Sequence, residues 1–514
     1  MESTETYDGI ETDDCMGPAN PPPQSSGFDY LWSFLGSTVI ILIFAVQEPS
    51  KIMHWMLVPL FLCGIIVGAD AMRWFRGKYT LFDPKGIIGV YGINFFLMAP
   101  LLVVFYDVEG VETYAIDTWQ PLVGLMAILN LIGLIVYKIF EKIAFKRPSK
   151  VQWTYWSLNA NKALFYVSVV CLISVVALCL YVFRAGGFGA VILQTGQSEK
   201  IYALRDFGII MVLRDALPLA TLIAFTVFRI SGSPDGKSRI WLLVGVGVLI
   251  LFFVTSGLRG SRAATGYGII CAGGILHYFW RRLTVPMVLL SLIPLGLFFY
   301  LYGFYKNAGI TGIKDLLSGQ ISMQGLQEQT SRSFSGMLVG DLSRTPVQAA
   351  ELDVLVNKPW SYRYRYGTTY PLAFGNMIPR KIWPSKPIDM GRVPAGTEIL
   401  YGPGSYSEYA KFSDLGSRST QLYGLAGEAM LNFGIWGIPA AFAVWGYIVG
   451  RLRKRLYSYQ EGDIRLFMSG FWMLISFVIL AADVDILVWF FLSLYVIPAT
   501  LTFLIADKTR LDIA

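Results

Sequence analysis

Long apolar runs recur along most of this chain, and they constrain its fold more than any other feature. A membrane-spanning helix needs about 20 consecutive apolar residues, because the hydrocarbon core is about 30 Å thick and each helical residue adds about 1.5 Å. Runs of this length lie at about 28–46, 52–71, 87–105, 119–139, 162–183, 207–229, 239–257, 262–280, 284–303, 428–450, 464–482 and 486–506. The sequence therefore predicts an all-α polytopic membrane protein with about 12 transmembrane helices.

The short connections between these helices alternate in charge. One set is basic and the other carries few Lys or Arg residues. The basic set contains Arg73, Arg76, Lys78, Lys85, Lys142, Lys146, Arg147, Lys150, Lys237, Arg239, Arg281, Arg282, Arg451, Arg453, Lys454, Arg455, Lys508 and Arg510. Cytoplasmic loops carry an excess of Lys and Arg. Both termini are therefore predicted to be cytoplasmic, and the one long connection, between spans 9 and 10, is predicted to be extracytoplasmic.

These predictions divide the chain into five parts. Residues 1–27 are acidic, lack Lys and Arg and contain three consecutive prolines, so they are predicted to form a disordered cytoplasmic tail. Residues 28–303 hold transmembrane helices 1–9, residues 304–427 form the extracytoplasmic loop, residues 428–506 hold helices 10–12, and residues 507–514 form a second cytoplasmic tail. Because a structureless insertion of this length is unusual, the loop is expected to fold as a cap that carries the active site.

Several classes of site are not expected. The five cysteines show no metal-ligand spacing and none lies in the loop, so neither a zinc site nor a disulfide framework is predicted. The net charge of +7 reflects cytoplasmic loops more readily than a nucleic-acid surface. The run Asp483-Val-Asp485 has the spacing of a glycosyltransferase metal motif, but a turn between two spans explains it equally well. We therefore expect no metal, no cofactor and no nucleic-acid partner.

Arginines at the predicted outer helix ends are candidates for anion binding. Arg259 and Arg262 lie in a very short hairpin, where Ser261 can cap the following helix, and a helix N-terminus beside guanidinium groups is an anion site. The alternative is that these arginines only extend to interfacial water. Arg214 lies about two turns inside its helix and needs an interior partner. Asp215 is adjacent and is not expected to share its face. A structural and a functional role fit Arg214 equally well.

The predicted outer loop mixes aromatic and basic residues. Such a mixture suits either the headgroup level of a membrane or a sugar-stacking cleft with cations for phosphate. The residues concerned are Trp360, Tyr362, Tyr364, Tyr366, Tyr370 and Trp383, with Arg363, Arg365, Arg380, Lys381 and Lys386. After the loop, Glu428 and Asn432 are four residues apart and share one helix face. Glu428 fits either a general base or a helix-capping residue.

Five motifs in this order resemble the bacterial O-antigen (Wzy-type) polysaccharide polymerases, over most of the chain after residue 28. They are Leu81-Phe-Asp-Pro84, Gly260-Ser-Arg262, Tyr366-Gly-Thr-Thr-Tyr370, Ile378-Pro-Arg-Lys-Ile-Trp-Pro-Ser-Lys-Pro387, and Gly427-Glu428 with Asn432-Phe-Gly434. The resemblance implies a GT-C-like enzyme of the bacterial inner membrane. It would join undecaprenyl-diphosphate-linked oligosaccharide repeat units into O-antigen, capsule or exopolysaccharide. Membrane lipids and a chain-length regulator protein are the other candidate partners.

The resemblance also implies roles for individual residues. Arg259, Arg262, Arg380 and Arg418 match the arginines that would bind the carrier diphosphate, and Lys386, Arg214 and Asn432 are further candidates for substrate binding. The family's arginine-x10-glycine pattern occurs once in the loop, from Arg380 to Gly391. In the absence of a suitable histidine, the acceptor hydroxyl needs a carboxylate as general base, with Glu428 as first choice and Asp341 as second.

Two alternative functions share many of these features. A flippase for the same lipid-linked glycan would have the same spans, but the chain shows no internal repeat of the kind that alternating access usually requires. An O-antigen ligase-like GT-C transferase would use a histidine in the outer loop. Here His54 is predicted inside a span, and His277 toward the cytoplasmic end of its helix. The sequence therefore favours the polymerase.

Overall fold

Helices make up most of the chain in the computed structural model. It describes residues 27–106, 116, 119–147, 154–193, 208–231, 240–257, 261–330, 333–375, 378, 382–387, 391–407 and 421–510. Within these ranges, nine helices are long and apolar enough to cross a membrane. They are Gly27–Gln47 (α1), Leu57–Phe75 (α2), Pro84–Tyr106 (α3), Trp119–Lys146 (α4), Ala160–Arg184 (α5), Gly208–Ser231 (α7), Val285–Tyr305, Gly424–Ser458 and Val484–Ile505 (α19). The prediction of an all-α polytopic membrane protein is confirmed.

Helices also occupy the other three predicted spans, although they are shorter or more polar. They are Ile240–Phe252 with a π-helical turn at Phe253–Gly257 (α8), Arg262–Phe279 (α9) and Ile464–Val478 (α18). The remaining helices are Phe188–Leu193 (α6), Val285–Leu317 (α10), Met323–Thr330 (α11), Phe334–Gly336 (α12), Thr345–Asn357 (α13), Thr369–Gly375 (α14) and Arg392–Tyr401 (α15). The count of about 12 spans stays a prediction.

Two breaks at glycines differ from the predicted boundaries. The ninth predicted span continues past residue 303 as α10, which is kinked at Gly309, so the predicted loop begins as helix. The tenth predicted span is two helices, Gly424–Phe433 (α16) and Gly437–Ser458 (α17). Gly434 separates them with a φ of 65°, a left-handed conformation that ends a helix and that glycine adopts without strain.

Close packing of α4 against α17 forms the centre of the bundle. A Cβ atom on Gly446 would lie 2.4 Å from the backbone oxygen of Tyr137, so only glycine allows this approach. The rings of Tyr137 and Trp445 stack beside it, with centroids 4.1 Å apart. At one end of the bundle, strand β1 (Thr154–Leu158) pairs antiparallel with strand β2 (Ala506–Arg510). The last span is thereby joined to the start of α5.

Ten charged residues form two adjacent sets of ion pairs around buried carboxylates at that end of the bundle, and we call them the basal network. Its carboxylates are Asp29, Asp70, Asp83 and Glu141, and its cations are Arg73, Arg76, Lys78, Lys85, Lys138 and Arg453. Arg453 holds both oxygens of Asp83, with Nε 2.7 Å from Oδ1 and Nη2 2.9 Å from Oδ2, and also pairs with Glu141. The network joins ends of α1, α2, α3, α4 and α17. The alternating charge of the short connections in the sequence also predicts that these ends lie on one side of the membrane.

Replacing Arg453 tests whether the basal network stabilises the bundle. Asp83 is fully buried, so Arg453→Ala leaves a buried carboxylate without its main partner. We expect this change to lower the free energy of unfolding by about 3–5 kcal/mol. Unfolding of the purified protein in detergent measures the difference. Arg455→Ala, at an exposed position on the same helix, is the matched control. Equal unfolding midpoints for the two variants would contradict the assignment.

Candidate functional site

Six of the nine residues predicted for the site lie within the described residues. They are Arg214, Arg262, Asp341, Lys386, Glu428 and Asn432. Arg259, Arg380 and Arg418 lie outside the described residues, as do Pro379 and Lys381 on either side of Arg380. The six do not form one cluster. Arg262 and Asp341 form one group, Glu428 and Asn432 form a second, and Arg214 and Lys386 have separate surroundings.

Arg262 and Asp341 form a partly exposed ion pair at the end of the bundle opposite the basal network. Arg262 is the first residue of α9, and the Ser261 hydroxyl accepts a hydrogen bond from the Ala264 amide at 3.4 Å, as predicted for an N-cap. Nη2 of Arg262 donates to the Asp341 carboxylate, and the two side chains are 18% and 30% exposed. Nη1 of Arg262 is buried and has no hydrogen-bond partner among the described residues. It is therefore a charged donor whose hydrogen-bonding capacity the described residues leave unused.

Arg344 fixes the backbone around Asp341, and the sequence analysis did not identify it. Its Nε donates to the Ala481 carbonyl and its Nη1 to the Ser343 carbonyl, both at 2.7 Å. From the other side, the Tyr91 hydroxyl of α3 donates to the Leu342 carbonyl at 2.9 Å. The backbone that follows Asp341 is therefore held between α3 and the connection from α18 to α19. A carboxylate beside a cation is an arrangement that suits proton transfer next to an anionic substrate.

Glu428 lies in the second group and is buried, with 3% of its surface exposed. Its Oε1 accepts from the Thr369 hydroxyl at 2.8 Å, and its Oε2 accepts from the Val484 amide at 2.7 Å, at the start of α19. Nδ2 of Asn432 donates to the Glu428 carbonyl and to the Thr369 hydroxyl, both at 2.8 Å, which confirms the predicted shared face. Glu428 thus caps a helix, but that helix is α19 rather than its own.

Asp483 and Asp485 form an ion-paired centre beside Glu428. Nε of Arg392 lies 3.0 Å from Asp483 Oδ2, and its Nη2 lies 2.9 Å from Asp485 Oδ2. Asp483 Oδ1 also accepts from the amides of Tyr423 and Gly424, at 3.0 and 2.7 Å, so it caps the start of α16. Burial opposes the positive charge of Arg392, but Asp485 and Asp483 outweigh burial and raise its pKa above the ordinary value. The two aspartates therefore orient a guanidinium and helix amides.

Glu351 on α13 is the least expected member of this region. It is fully buried, and among the described residues neither of its carboxyl oxygens has a hydrogen-bond partner. A Cβ atom on Gly427 would lie 2.7 Å from its Oε2, so Glu351 faces α16 one residue from Glu428. Burial, and then the charges of Asp483 and Glu428, raise the pKa of Glu351 well above its ordinary value. These surroundings therefore favour the neutral, protonated form of its carboxyl group.

Arg214 is buried, as predicted, but the prediction that Asp215 would not be its partner is wrong. Nε and Nη2 of Arg214 lie 3.0 and 2.6 Å from Asp215 Oδ1, and the guanidinium lies 4.1 Å from the ring centroid of Tyr181. Regular helix geometry is interrupted at Ala216, because Pro218 cannot bond the carbonyl of Arg214. At this break, the side chains of the adjacent residues Arg214 and Asp215 can form an ion pair.

Three other predictions concern side chains away from both groups. Lys386 donates to the Ile378 carbonyl at 2.9 Å, a contact within its own loop segment. His54 was predicted inside a span, and this is wrong, because α2 begins at Leu57 and His54 lies in the turn before it, accepting from the Met56 amide at 3.2 Å. His277 lies near the end of α9, as predicted, and accepts from the Leu283 amide at 3.0 Å.

The chemistry available in the described residues is that of anion binding and proton transfer. The Arg262–Asp341 pair is accessible, whereas the cluster around Glu428 is buried. No group of three or more His, Cys, Asp or Glu side chains within the described ranges is arranged to hold a metal ion. No protein-family model, no curated protein and no solved structure matches this chain. The resemblance to O-antigen polymerases therefore depends on the sequence motifs alone.

Replacing Glu351 tests its buried neutral state. The pKa of Glu351 is raised in the folded protein, so its carboxyl group keeps a proton there. In the unfolded chain the same group releases this proton above its ordinary pKa of 4.5. The stability of the wild type should therefore fall as pH rises above that value, by up to about 1.4 kcal/mol per pH unit until the folded pKa is reached. Glu351→Gln removes this proton. We expect its unfolding midpoint, relative to that of the wild type, to rise steadily between pH 5 and pH 8.

The matched control for this measurement is Glu328→Gln, at an exposed position on α11. Its unfolding midpoint should follow that of the wild type at each pH. Parallel profiles for the wild type and Glu351→Gln would show that Glu351 does not titrate as its surroundings require.

Proposed function

We propose that this chain is a membrane glycosyltransferase that polymerises polyprenyl-diphosphate-linked oligosaccharide repeat units on the extracytoplasmic face of a bacterial inner membrane. The proposal includes a GT-C-like bundle of about 12 spans with both termini in the cytoplasm. The observation that carries it is the partly exposed Arg262–Asp341 pair, a cation with an unused donor directly beside a carboxylate. A reaction with an anionic leaving group and a hydroxyl nucleophile needs both.

The charge distribution supports this orientation. The basal network contains many of the basic residues that the positive-inside rule assigns to the cytoplasm, and it lies at one end of the bundle. The Arg262–Asp341 pair and the cluster around Glu428 lie at the other end, where α9, α16 and α19 begin. If the basal network is cytoplasmic, the candidate site is outside. That is the side on which a lipid-linked glycan is polymerised in the proposed reaction.

Binding of the donor would change the partner of Arg262. A diphosphate offers several anionic oxygens, and Nη1 of Arg262 is a donor that no described residue uses. The diphosphate can therefore compete with Asp341 for the guanidinium, with each charge-assisted hydrogen bond contributing about 1.5–3 kcal/mol. Arg259, Arg380 and Arg418 are further cations that the resemblance implies for this step. As Arg262 turns to the donor, Asp341 becomes able to act as a base.

In the proposed reaction, the acceptor hydroxyl oxygen attacks the anomeric carbon of the donor glycan. The new bond forms between these two atoms, and the bond from the anomeric carbon to the diphosphate oxygen breaks. The polyprenyl diphosphate leaves with the bonding electron pair, and the proton of the acceptor hydroxyl passes to Asp341. Because the donor is already activated, no further energy source is needed.

Burial favours Asp341 over Glu428 as the proton acceptor, which reverses the order given by the sequence. Asp341 is partly exposed, whereas both oxygens of the buried Glu428 already accept hydrogen bonds from Thr369 and Val484. In our proposal Glu428 is a positioning residue that joins α14, α16 and α19. Asp341 is the residue that contacts the acceptor.

A series at position 262 tests the donor site. Lys keeps the charge of Arg262 but loses the planar fork, and Ala loses both, so donor use should fall in the order Arg, Lys, Ala. Loss of one charge-assisted contact predicts that Arg262→Ala binds the donor about ten- to a hundredfold more weakly than the wild type. Donor titration on purified variants of equal folded content measures this. Arg282→Ala, which removes an exposed pair with Glu461 elsewhere, is the control. Unchanged donor dependence in Arg262→Ala would exclude this residue from the site.

The proposed orientation is tested by labelling. Ser385 is exposed in the predicted outer loop, so a cysteine placed there should react with a membrane-impermeant maleimide in intact spheroplasts. All five natural cysteines, Cys15, Cys63, Cys171, Cys179 and Cys271, are replaced first to remove background. Labelling of Ser385→Cys only after lysis would place the loop in the cytoplasm and would contradict the proposed function.

A further inference from the structure

Tyr366 has an unusual backbone conformation. Its φ is 47°, and within the described ranges no other residue except glycine has a positive φ. L-residues with a side chain are disfavoured in this region because Cβ approaches the following carbonyl oxygen. Such strain persists only where surrounding contacts impose it, and it concentrates at functional sites. The conformation therefore calls for a reason that local chain geometry does not supply.

Hydrogen bonds to the end of α16 impose this conformation. The amide of Arg365 donates to the Leu431 carbonyl at 3.1 Å, and the amide of Tyr366 donates to the Asn432 carbonyl at 3.0 Å. The next amide, that of Gly367, donates to Asn432 Oδ1 at 2.9 Å. These contacts use groups at the C-terminal end of the helix that carries Glu428. The strained segment and the buried cluster are thus one connected unit.

The strain places the Tyr366 ring in the open, where 76% of the residue is exposed. The ring centroid of Tyr364 lies 6.3 Å away, nearly perpendicular. A Cβ atom on Gly367 would lie 3.1 Å from the ring of Phe433, which is itself 46% exposed, so Gly367 leaves room for this third ring. We call Tyr364, Tyr366 and Phe433 the aromatic platform. Packing of the platform does not explain the strained backbone, because Tyr366, the strained residue, is the most exposed of the three.

Polar groups border the aromatic platform. Arg365 pairs with Glu398, and the two side chains are 32% and 29% exposed. Nε of Arg365 has no hydrogen-bond partner among the described residues. A pyranose ring has an apolar face of C–H groups and a rim of hydroxyl groups that donate and accept hydrogen bonds. The exposed ring of Tyr366 beside a paired Arg and Glu matches both features. A ring that only anchors the protein at the membrane interface needs no strained backbone.

We propose that the aromatic platform is a carbohydrate-binding subsite that stacks one pyranose ring of the glycan substrate. This inference builds on the proposed function, because it assigns the sugar chain a position three residues from Thr369, which bonds Glu428. The strained backbone then serves to present the Tyr366 ring. The hydrogen bonds to α16 hold the platform in one orientation before the glycan binds, which reduces the entropy lost on binding.

Sugar binding by the full purified chain in detergent tests the proposal without requiring catalysis. The probes are disaccharides built from glucose, galactose, mannose, rhamnose and N-acetylglucosamine, and binding is detected by saturation-transfer NMR. We expect at least one probe to bind. Asn tolerates the left-handed region, so Tyr366→Asn removes the ring and keeps the backbone. It should weaken binding about three- to tenfold without lowering the unfolding midpoint. Phe183→Ala, on α5 and 81% exposed, is the matched control and should bind like the wild type.

Three results would overturn the subsite. They are binding of none of the disaccharides, equal binding by the wild type and Tyr366→Asn, and a lower unfolding midpoint in Tyr366→Asn with sugar binding kept. The last would identify the ring as an interfacial or structural anchor. If sugars bind in the expected way but the protein forms no polymer, the subsite stands and the proposed function fails. If polymer forms and Tyr366→Asn binds sugar normally, the proposed function stands and the subsite fails.

Discussion

The whole structure depends on the pairing of charges that the helix bundle buries. An unpaired ion in a low-dielectric interior costs several kcal/mol, so each buried charge needs a partner at fixed geometry. Arg453 meets this need for Asp83 at one end of the bundle, and Arg392 meets it for Asp483 and Asp485 at the other. The partners come from segments far apart in sequence. These pairs therefore fix which helix ends lie together.

The two ends differ in their balance of charge. In the basal network six cations surround four carboxylates, and each carboxylate has at least one cation in contact. At the other end, the cluster around Glu428 has four carboxyl groups, on Glu351, Glu428, Asp483 and Asp485, and Arg392 is the cation that the described residues pair with two of them. The short segment from Ala481 to Asp485 connects this cluster to the accessible pair, because Arg344 bonds the Ala481 carbonyl beside Asp341. Cations outnumber carboxylates in the basal network, whereas carboxyl groups outnumber cations in the cluster around Glu428.

The sequence predicts the helices well, because a span of about 20 apolar residues is a local property. It also predicts local features of the site, such as the cap at Ser261 and the shared face of Glu428 and Asn432. It does not predict the ion pairs, since Asp83 and Arg453 lie 370 residues apart and neither position indicates its partner. Arg392 and Glu351 were missed for the same reason. A signal was present in Asp70, Glu141 and Arg453, which are charges inside or beside apolar runs and therefore require partners. The error at Arg214 came from assuming regular helix geometry, which Pro218 interrupts.

Synthesis by the purified protein tests the central claim most directly. The chain would be reconstituted in lipid vesicles with one undecaprenyl-diphosphate-linked repeat unit as both donor and acceptor, with no nucleotide sugar present. The account predicts a ladder of products that differ by one repeat unit, with one undecaprenyl diphosphate released for each bond formed. An unchanged single-unit lipid, with no diphosphate released by correctly oriented and folded protein, would contradict it. Movement of that lipid across the bilayer without any longer product would identify a transporter instead.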